Sequence, residues 1–330
     1  MFLKVNPMNK NDWIVVSREA SISDYGKYPG SRSVEELINS GIIILDKPSG
    51  PTSHQVDAWI KEMLDLKKAS HGGTLDPRVT GVLVIALNKA TKLMQILLKS
   101  KKEYVGIVHL HKDVPEEDIR RVCDEFIGEI TQLPPKKSAV ARRERQRTIY
   151  YLEILEIDGR DILMRVGCEA GTYIRRLADD IGKKLGTGGH LQELRRTKSG
   201  MFDESEVISL QELSDAIDDW KKGNEDHIRN IVFPIERATE GIKNVVVKNS
   251  SVDAICNGAP LSIGGVIKVQ KEIKKDEWVG MLTLKGELIG VGKALKTSDE
   301  MSNMKKGLVV KTDTVVMEKG TYPKMWKKKQ

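Results

Sequence analysis

The sequence is poor in cysteine, in aromatic residues and in long apolar runs. Its three cysteines form an odd, widely spaced set that fits neither a disulfide framework nor a CxxC zinc site: Cys123, Cys168 and Cys256. We expect buried, reduced thiols. The apolar runs GIIIL and VLVIAL are far shorter than the roughly 18 residues that a membrane span needs, and the N-terminus lacks an apolar core of signal-peptide length. The sequence therefore predicts a cytoplasmic protein without membrane association.

Signatures of common cofactor sites are also missing. The chain contains no GxxxxGK(S/T), GxGxxG or HExxH motif, so ATP-binding, dinucleotide-binding and zinc-protease functions lose their usual support. His109 and His111 lie on one face of a predicted strand, as two zinc ligands would, but no third ligand is close to them in the sequence. We therefore predict a protein that uses neither a metal ion nor an organic cofactor.

Positive charge is in excess and unevenly distributed. The net charge is +7 and the isoelectric point is near 9.0, which favours a polyanionic partner. The segment PPKKSAVARRERQRTIY lies between structured elements and carries a single acid, Glu144, against two lysines and four arginines: Arg142, Arg143, Arg145 and Arg147. The C-terminal KMWKKKQ is a second basic cluster. Both clusters are candidates for contact with phosphate groups.

The pattern of predicted strands and helices changes once along the chain. The chain length also suggests about two domains. Strand and helix patterns alternate irregularly up to about Ala238, and from about Gly241 short strands separated by glycines predict a β-rich module typical of a barrel. In the first part, TSHQVDAWIKEMLDL predicts a helix with Ser53 as N-cap, and GTYIRRLADDIGKKLGTGGHLQELRRTKSG predicts a helix that Thr172 caps and Gly186 ends. The segment EEDIRRVCDEFIGEI predicts a further helix.

One acidic residue stands out in SHGGTLDPRVTGVLVIAL. Asp76 follows two glycines that permit unusual turns, and Pro77 biases it toward an extended backbone. The apolar run after it is short enough for a fully buried strand. Asp76 is therefore expected on a stiff loop at the mouth of that strand, either as a turn residue that bonds its own backbone or as a catalytic group.

Two further residues are candidates for chemistry. Arg175 lies in the first turn of a predicted helix, where the helix dipole disfavours a cation. It either covers apolar surface with its long stem or pairs with a buried carboxylate and keeps that group ionised, with Asp76 as the obvious candidate. Tyr104, on a predicted strand, is either a packing residue or a platform on which a nucleobase stacks.

Five segments together resemble the tRNA pseudouridine synthase B family: GIIILDKPSGPTSH, SHGGTLDPRVTGVL, KEYVGIVHLH, CEAGTYIRRLADDIGKKLGTGGHLQELRRTKSGMF and the glycine-rich tail. The similarity is greatest to the archaeal dyskerin-like branch, the catalytic subunits of H/ACA ribonucleoproteins. It extends from about Gly41 to Trp326, and GTLDP followed by GTYIR is highly specific. The tail resembles a PUA domain, an RNA-binding β-barrel.

The resemblance implies an α/β (α+β) fold. A pseudouridine synthase catalytic domain with a mixed, largely antiparallel sheet and flanking helices would occupy residues 33–240, and a PUA β-barrel with a basic tail would occupy residues 241–330. Residues 1–32 would form an N-terminal extension that packs on the PUA domain. The activity implied is that of an isomerase, which detaches uracil from its sugar, rotates it and reattaches it through carbon.

The resemblance also implies roles for individual residues. Asp76 would be the nucleophile, with attack on the sugar and attack on the base ring both compatible with this role. Tyr104 would stack on the flipped base and could take part in proton transfer, while Arg175 would hold Asp76 ionised. Support for the active site would come from His71, Lys47, Pro48 and Leu194. RNA contacts would come from Arg142, Arg143, Arg145, Arg147, Gly258, Ala259 and Lys268.

The implied partners are an H/ACA guide RNA, a substrate RNA and small proteins of the same particle. These proteins would be of the glycine-arginine-rich, the small zinc-binding nucleolar and the kink-turn-binding ribosomal types. Stand-alone family members carry a longer insertion after the SA that corresponds to Ser138 and Ala139, where this chain passes almost directly into a strand. A stand-alone enzyme for the tRNA T-loop and a non-catalytic RNA-binding scaffold are the alternatives. A glycosidase with paired carboxylates lacks its second acid.

Overall fold

The computed structural model describes residues 12–19, 21–22, 24–133 and 143–325. The helices are α1 Val34–Ser40, α2 Ser53–Met63, α3 Met94–Leu98, α4 Glu116–Asp124, α5 Ile174–Lys184, α6 Leu210–Lys221, α7 Asp226–Ile231, α8 Asn249–Cys256 and α9 Ser298–Asn303. The strands are β1 Trp13–Val15, β2 Ile42–Lys47, β3 Ala69–His71, β4 Thr80–Leu87, β5 Lys102–Leu110, β6 Gly128–Gln132, β7 Arg145–Asp158, β8 Asp161–Cys168, β9 Gly189–Ser199, β10 Phe202–Asp203, β11 Lys243–Val247, β12 Leu261–Ser262, β13 Val266–Gln270, β14 Trp278–Leu282, β15 Leu288–Ala294 and β16 Leu308–Val315.

The first sheet has nine strands and carries the residues of the candidate site. Its order is β2-β4-β9-β5-β8-β7-β6, with β3 paired to β4 and β10 paired to β9. Its pairs are antiparallel except β4 with β9, which is parallel. Strand β4 is buried along nearly its whole length, as its apolar sequence predicts. The predicted mixed, largely antiparallel sheet is confirmed.

The second sheet contains the strands after Gly241 together with one strand from the N-terminal part. Its order is β1-β13-β11-β14-β15-β16-β12, and β11 with β14 is its parallel pair. Strand β1 lies at the edge, where Trp13 is the antiparallel partner of Gln270. The predicted β-rich module is therefore confirmed, and one N-terminal strand extends its sheet.

The two sheets share a buried apolar cluster. Ile42 and Val82 of the first sheet pack in the same cluster as Val246 and Leu288 of the second. Phe233, which precedes the second module in the sequence, belongs to this cluster as well. Removing either module would expose this apolar surface to water, which is costly. The exact domain limits at positions 33 and 241 stay predictions.

Several local predictions need correction. Thr52, not Ser53, caps α2, and the Ser53 side chain bonds elsewhere. Thr172 does not cap α5, because its hydroxyl donates to the carbonyl of Glu169. Gly186, with a φ of +72°, does follow the end of α5. The segment from Gly189 onward is strand β9 and not part of a helix, because it pairs along its length with β5.

The remaining composition-based expectations concern cysteine and the membrane. All three cysteines are free and buried, as predicted. The last part of EEDIRRVCDEFIGEI is not helical, since α4 ends at Asp124 and β6 begins at Gly128. Within the described ranges, no helix combines the length and the apolar character that crossing a bilayer requires.

Candidate active site

Asp76 lies on the loop that joins β3 to β4. Its carbonyl accepts a hydrogen bond from the amide of Val79 at 3.0 Å, which closes a turn with Pro77 in its second position. Gly73, upstream in the same loop, has a φ of +130°, a conformation that side-chain-bearing residues rarely adopt. The Asp76 carboxylate does not bond its own backbone; it forms an ion pair with Arg175. The prediction that this carboxylate is buried is wrong, since its side chain is 54% exposed.

Side chains from neighbouring elements hold this loop in place. The Ser53 hydroxyl, in the first turn of α2, donates to the carbonyl of Leu75 and accepts from its amide, each at 2.9 Å. On the other side of Asp76, the amino group of the fully buried Lys47 donates to the carbonyls of Pro48, Pro77 and Val79 at 2.8, 3.1 and 3.0 Å. Asp76 is thus fixed from both directions along the chain.

The ammonium group of Lys47 is a structural contact of the loop. Burial lowers the pKa of Lys47, and the negative charge of Asp76 acts in the opposite direction. Replacing Lys47 by Met would remove the Lys47 donor from the buried carbonyl of Val79 and the partly buried carbonyl of Pro48, while the Pro77 carbonyl would keep the Gly50 amide as a donor. Each such loss costs about 1–3 kcal/mol.

We predict that Lys47→Met lowers the free energy of unfolding by about 2 kcal/mol or more. Urea unfolding followed by circular dichroism measures this change. Lys61→Met is the matched control, because Lys61 is exposed near the end of α2. Equal unfolding midpoints for the two variants would show that the three carbonyls are satisfied without Lys47.

Arg175 projects from the first turn of α5, whose start is fixed by Gln132. No side chain caps this helix at Tyr173. Instead, the buried amide of Gln132 accepts from the Tyr173 amide at 3.0 Å and donates to the Tyr173 carbonyl at 3.2 Å. Arg176 points elsewhere and pairs with Asp179 and Asp180 within the same helix. Gln132 therefore fixes the helix end from which Arg175 reaches Asp76.

Tyr104 lies near the start of β5, beside the same loop. Its register partner is Arg196 of β9, and Leu194 is the partner of Gly106 two residues further on. Tyr104 and Leu194 are both partly buried and pack against the same two apolar clusters. Burial raises the pKa of Tyr104, an effect that the adjacent Arg196 opposes, so the phenol is neutral at neutral pH.

Two buried basic side chains lie next to the loop at Gly73. Arg196 is almost fully buried and donates to the carbonyls of Val82 at 2.7 Å and Gly73 at 3.0 Å. The amino group of Lys102 donates to three oxygens of Leu97 and Ser100. Burial, together with the charge of Arg196, lowers the pKa of Lys102 to about 7. Both side chains lie close to Gly73, so a side chain at position 73 would contact them.

His71 belongs to the support of the loop as well. Its Nδ1 lies 2.7 Å from a carboxylate oxygen of Asp57, and its Nε2 lies 3.1 Å from the Thr74 hydroxyl. His54 completes a group whose ligand atoms all lie within 4.8 Å of one another, close enough to surround a metal ion. Both ring nitrogens of His71 are already bonded, however, and the His54 side chain is 83% exposed. The group fits a hydrogen-bonded clamp better than a metal site.

Some of the predicted RNA-contacting arginines lie beside this site. Arg142 lies outside the described residues. Arg143 is exposed, while Arg145 and Arg147 are partly buried on β7. The Arg147 guanidinium lies against Gly171, shortly before α5 begins, and within 3.8 Å of Glu169. One basic strand end therefore adjoins the helix that carries Arg175.

The predicted RNA contacts of the second module come from two of its elements. Gly258 and Ala259 form the turn after α8, and the carbonyl of Ala259 accepts from the Thr312 hydroxyl at 2.7 Å. Lys268 lies on β13 with its amino group 4.4 Å from the ring centroid of Trp13. Burial lowers the pKa of Lys268. The turn after α8 is the more accessible of the two locations.

Together these contacts define what the site can do chemically. An accessible carboxylate on a fixed loop can attack an electrophilic carbon, and the guanidinium of Arg175 is bound to it. A neutral, partly buried tyrosine beside it offers an aromatic face and a hydroxyl group. The sequence did not predict Ser53, Arg196, Gln132 or Asp57 for the site, because each acts through a contact that is distant along the chain.

Four family domains match successive parts of the chain. They are the DKCLD (NUC011) domain at residues 4–57, the TruB family pseudouridylate synthase N-terminal domain at 61–174, the tRNA pseudouridylate synthase B C-terminal domain at 175–240, and the PUA domain at 243–316. The second match contains the loop and strand with Asp76 and Tyr104, and the third begins at Arg175.

Similar proteins match over almost the whole length. The probable tRNA pseudouridine synthase B of Methanocaldococcus jannaschii is 50% identical over 325 residues, covering 98% of this chain and 97% of the relative. That of Methanopyrus kandleri is 53% identical and covers 92% and 90%. A chain in a crystal structure of a Cbf5-Nop10-Gar1 complex has a TM-score of 0.91, 49% identity and coverage of 95% and 96%. A chain of an H/ACA RNP bound to a substrate RNA containing 2′-deoxyuridine has a TM-score of 0.89, 48% identity and coverage of 95% and 97%.

Proposed function

The chain belongs to the TruB family of pseudouridylate synthases, enzymes that isomerise uridine to pseudouridine in RNA, and we propose that it acts as the guide-directed catalytic subunit of an H/ACA ribonucleoprotein. Asp76 is the nucleophile, and Arg175 binds and orients its carboxylate. Tyr104 stacks on the flipped uracil, and Leu194 beside it forms part of the pocket wall. The observation that carries this assignment is the ion pair between Asp76 and Arg175 next to Tyr104.

The supporting residues act on the loop and not on the substrate. Lys47, through the carbonyls of Pro48 and Pro77, and His71, through Thr74, keep the Asp76 turn in one conformation. Because the reaction is redox-neutral and transfers no phosphate, the proposed mechanism uses only groups of this chain. The uracil detaches, rotates and rejoins through carbon, which loses a proton while the released nitrogen gains one, and the Asp76 carboxylate is bonded meanwhile either to the sugar or to the base ring.

Guide dependence is supported by the small number of residues between β6 and β7. Gln132 and Arg145 are register partners at the end of a β6–β7 pair, so only twelve residues connect the two strands. Arginines in and after this connection can hold phosphate oxygens in pairs, but phosphate contacts carry no sequence information. A protein that grips RNA without identifying its sequence needs a guide RNA to select the uridine.

The proposed partners follow from the same assembly. The structures to which this chain is similar contain Nop10, Gar1 and a substrate RNA, and we assign this chain corresponding partners of the small zinc-binding and glycine-arginine-rich types. A kink-turn-binding ribosomal-type protein completes the set. The proposed location is cytoplasmic, and rRNA is the proposed main substrate, with tRNA as a second one.

We predict that a matching H/ACA guide raises the rate of pseudouridine formation in one target RNA by about 100-fold or more. The physical reason is that base pairing on both sides holds the unpaired uridine at the loop. Single-turnover assays on one target, with its own guide and with a guide of scrambled pairing arms, measure the effect. Equal rates and equal site selectivity would favour a stand-alone tRNA enzyme. Tight RNA binding with no product under any condition would favour a non-catalytic scaffold.

A second prediction concerns the proposed guide contact after α8. Deleting the second module is a poor test, since its apolar cluster is shared with the first. We predict instead that Ala259→Glu weakens guide RNA binding at least about tenfold, because a carboxylate would face phosphate groups. Filter binding at fixed salt measures the affinity, and Ser302→Glu, at an exposed position on α9, is the control. Equal affinities for the two variants would move the guide contact elsewhere.

A further inference from the structure

Arg196, on β9, is a buried cation that takes no direct part in the proposed reaction. It is 1% exposed, and in the described part of the chain its guanidinium donates to the carbonyls of Val82 and Gly73 and not to a carboxylate. A buried cation without an acid beside it is costly. The cost extends to Lys102, because burial and the charge of Arg196 lower the pKa of Lys102 to about 7. Departures of this kind from the rules of stability are expected at functional sites.

The two carbonyl groups lie at the two ends of the segment that carries Asp76. Gly73 comes three residues before Asp76, and Val82 comes six residues after it. The Nη2 atom of Arg196 lies 3.0 Å from the Gly73 oxygen, and its Nε atom lies 2.7 Å from the Val82 oxygen. The backbone of Arg196 is the parallel partner of Gly81, where a Cβ atom would lie only 2.2 Å from the Arg196 carbonyl oxygen. Arg196 is therefore fixed to this segment by its backbone and by its side chain.

The same guanidinium also contacts Tyr104. Tyr104 and Arg196 are direct partners in the antiparallel pairing of β5 with β9, so their side chains lie on the same face with Cβ atoms about 5 Å apart. Burial raises the pKa of Tyr104, and Arg196 lowers it through its charge and through a hydrogen bond to the phenol. The bonds to the two carbonyls use Nε and Nη2, which leaves Nη1 to donate to the phenol.

A β-bulge in β9 places Arg196 opposite Tyr104. Glu103 pairs with Lys198, so regular pairing would bring Thr197 opposite Tyr104. The register shifts at this step instead, and Tyr104 pairs with Arg196 while Thr197 is the extra residue. Bulges of this kind are frequent beside active sites, where they redirect a side chain. The irregularity therefore has a specific consequence, which is the contact between the guanidinium and the phenol.

We propose that Arg196 is a positioning residue, which holds the phenol of Tyr104 at a fixed place relative to the Asp76 carboxylate. Its guanidinium is anchored at both ends of the Asp76 segment, so the tyrosine ring and the carboxylate keep one arrangement when the uracil enters. This role requires a rigid, planar group with donors in several directions, which lysine does not supply. Because Arg196 is buried, it acts through Tyr104 and not on the RNA. The proposal rests on the function proposed above.

The first test compares Arg196→Lys with Arg195→Lys, the same change at the neighbouring position. Arg195 pairs with Asp46 and Glu204 and serves as the matched control. Single-turnover pseudouridine formation by the full chain with a matching guide should fall about 10- to 100-fold in Arg196→Lys, because a small displacement of a reacting group has effects of this size. It should stay within about twofold in Arg195→Lys, and RNA affinity should change less than about threefold in both. Urea unfolding verifies that both variants are folded.

A spectroscopic measurement separates positioning of Tyr104 from general support of the fold. In a chain labelled with ¹³C at the tyrosine Cζ atoms, the NMR signal of Tyr104 is identified by its loss in Tyr104→Phe. Arg196→Lys should shift this signal, and Arg195→Lys should not. In the Tyr104→Phe background, Arg196→Lys should lower the rate less than about threefold, because the phenol that it holds is already absent.

The reciprocal measurement leaves Arg196 in place. The ¹⁵N signals of the Arg196 guanidinium should shift in Tyr104→Phe, which removes the acceptor and keeps the ring. Tyr151→Phe is the matched control, because the Tyr151 hydroxyl contacts Glu103 and not Arg196. Its removal should leave the Arg196 signals unchanged. This arm needs no substitution at Arg196, so it decides the matter even where Arg196→Lys does not fold.

Three results would overturn the proposal. One is an unchanged rate in a folded Arg196→Lys chain. Another is a lower rate with an unshifted Tyr104 signal, which would leave Arg196 as a support of the Asp76 segment alone. The third is a set of Arg196 signals that do not respond to Tyr104→Phe. Absence of product from the unchanged chain with any guide would instead refute the proposed function, while the two NMR measurements would still decide whether Arg196 holds Tyr104.

Discussion

Asp76→Asn should reduce single-turnover pseudouridine formation by at least about 10⁴-fold, while RNA affinity changes less than about threefold. The amide has nearly the same shape as the carboxylate, but it cannot act as a nucleophile. Asp76 is the acid that the fixed loop presents to solvent beside Tyr104, whereas RNA binding is distributed over many basic groups. Tritium release from 5-tritiated uridine and filter binding at fixed salt measure the two quantities.

Asp46→Asn is the matched control for this experiment. Asp46 is also an aspartate in an arginine ion pair at the edge of the same sheet, since its carboxylate accepts two hydrogen bonds from Arg195 at 2.9 Å. It lies on β2 and not on the Asp76 loop. Similar losses of rate in the two variants, with both folded, would mean that any broken aspartate–arginine pair disturbs the site. Substantial product from Asp76→Asn would exclude Asp76 as the nucleophile.

The elements that sequence patterns predicted well are those with strong apolar signals. The run from Val82 to Leu87 has the composition of a buried strand and forms the buried part of β4. The helix predicted in GTYIRRLADDIGKKLG forms as α5, and its apolar residues at helical spacing are buried: Ile174, Leu177, Ala178 and Ile181. Both signals are local, because the composition of each segment by itself indicates that the segment is buried.

Strand β9 was missed because its own sequence gives no such signal. GHLQELRRTKS is rich in charge and continues from a helix, so its local propensity does not indicate a central strand. It forms because β5 pairs with it along one edge and β4 along the other. This long-range pairing buries Arg196 inside the sheet, where backbone carbonyls satisfy it. The same pairing brings His190 to His109.

In the candidate site, too, residues with a local sequence signal were predicted, and residues that act through long-range contacts were not. Asp76 and Arg175 stand out in the sequence, one by its Gly-Gly and Pro context and the other by its place at a helix start. The groups that hold them do not stand out, because Ser53 and Gln132 act through pairs of hydrogen bonds to the backbone of Leu75 and Tyr173, which are distant along the chain. Serine and glutamine are common residues, and only the folded chain distinguishes those that carry such contacts.

Arg175→Met should lower the rate of pseudouridine formation by about 10²- to 10³-fold and leave the free energy of unfolding almost unchanged. Without the guanidinium, the Asp76 carboxylate loses the ion pair that orients it. An ion pair this exposed adds less than about 1 kcal/mol to stability. Arg175→Lys should recover part of the rate, since lysine restores the charge but not the planar pair of donors.

Arg176→Met should show the opposite pattern, because Arg176 serves its helix and not the loop. Its guanidinium pairs with Asp179 at 2.8 Å and Asp180 at 2.9 Å, contacts at helical spacing that each add about 0.3–0.5 kcal/mol. We therefore expect a small loss of stability and a rate within about twofold of the unchanged chain. Urea unfolding and single-turnover kinetics on the same preparations measure both quantities. Equal rate losses in the two folded variants would mean that α5 acts through its overall charge, and that the contact between Arg175 and Asp76 has no special part in the reaction.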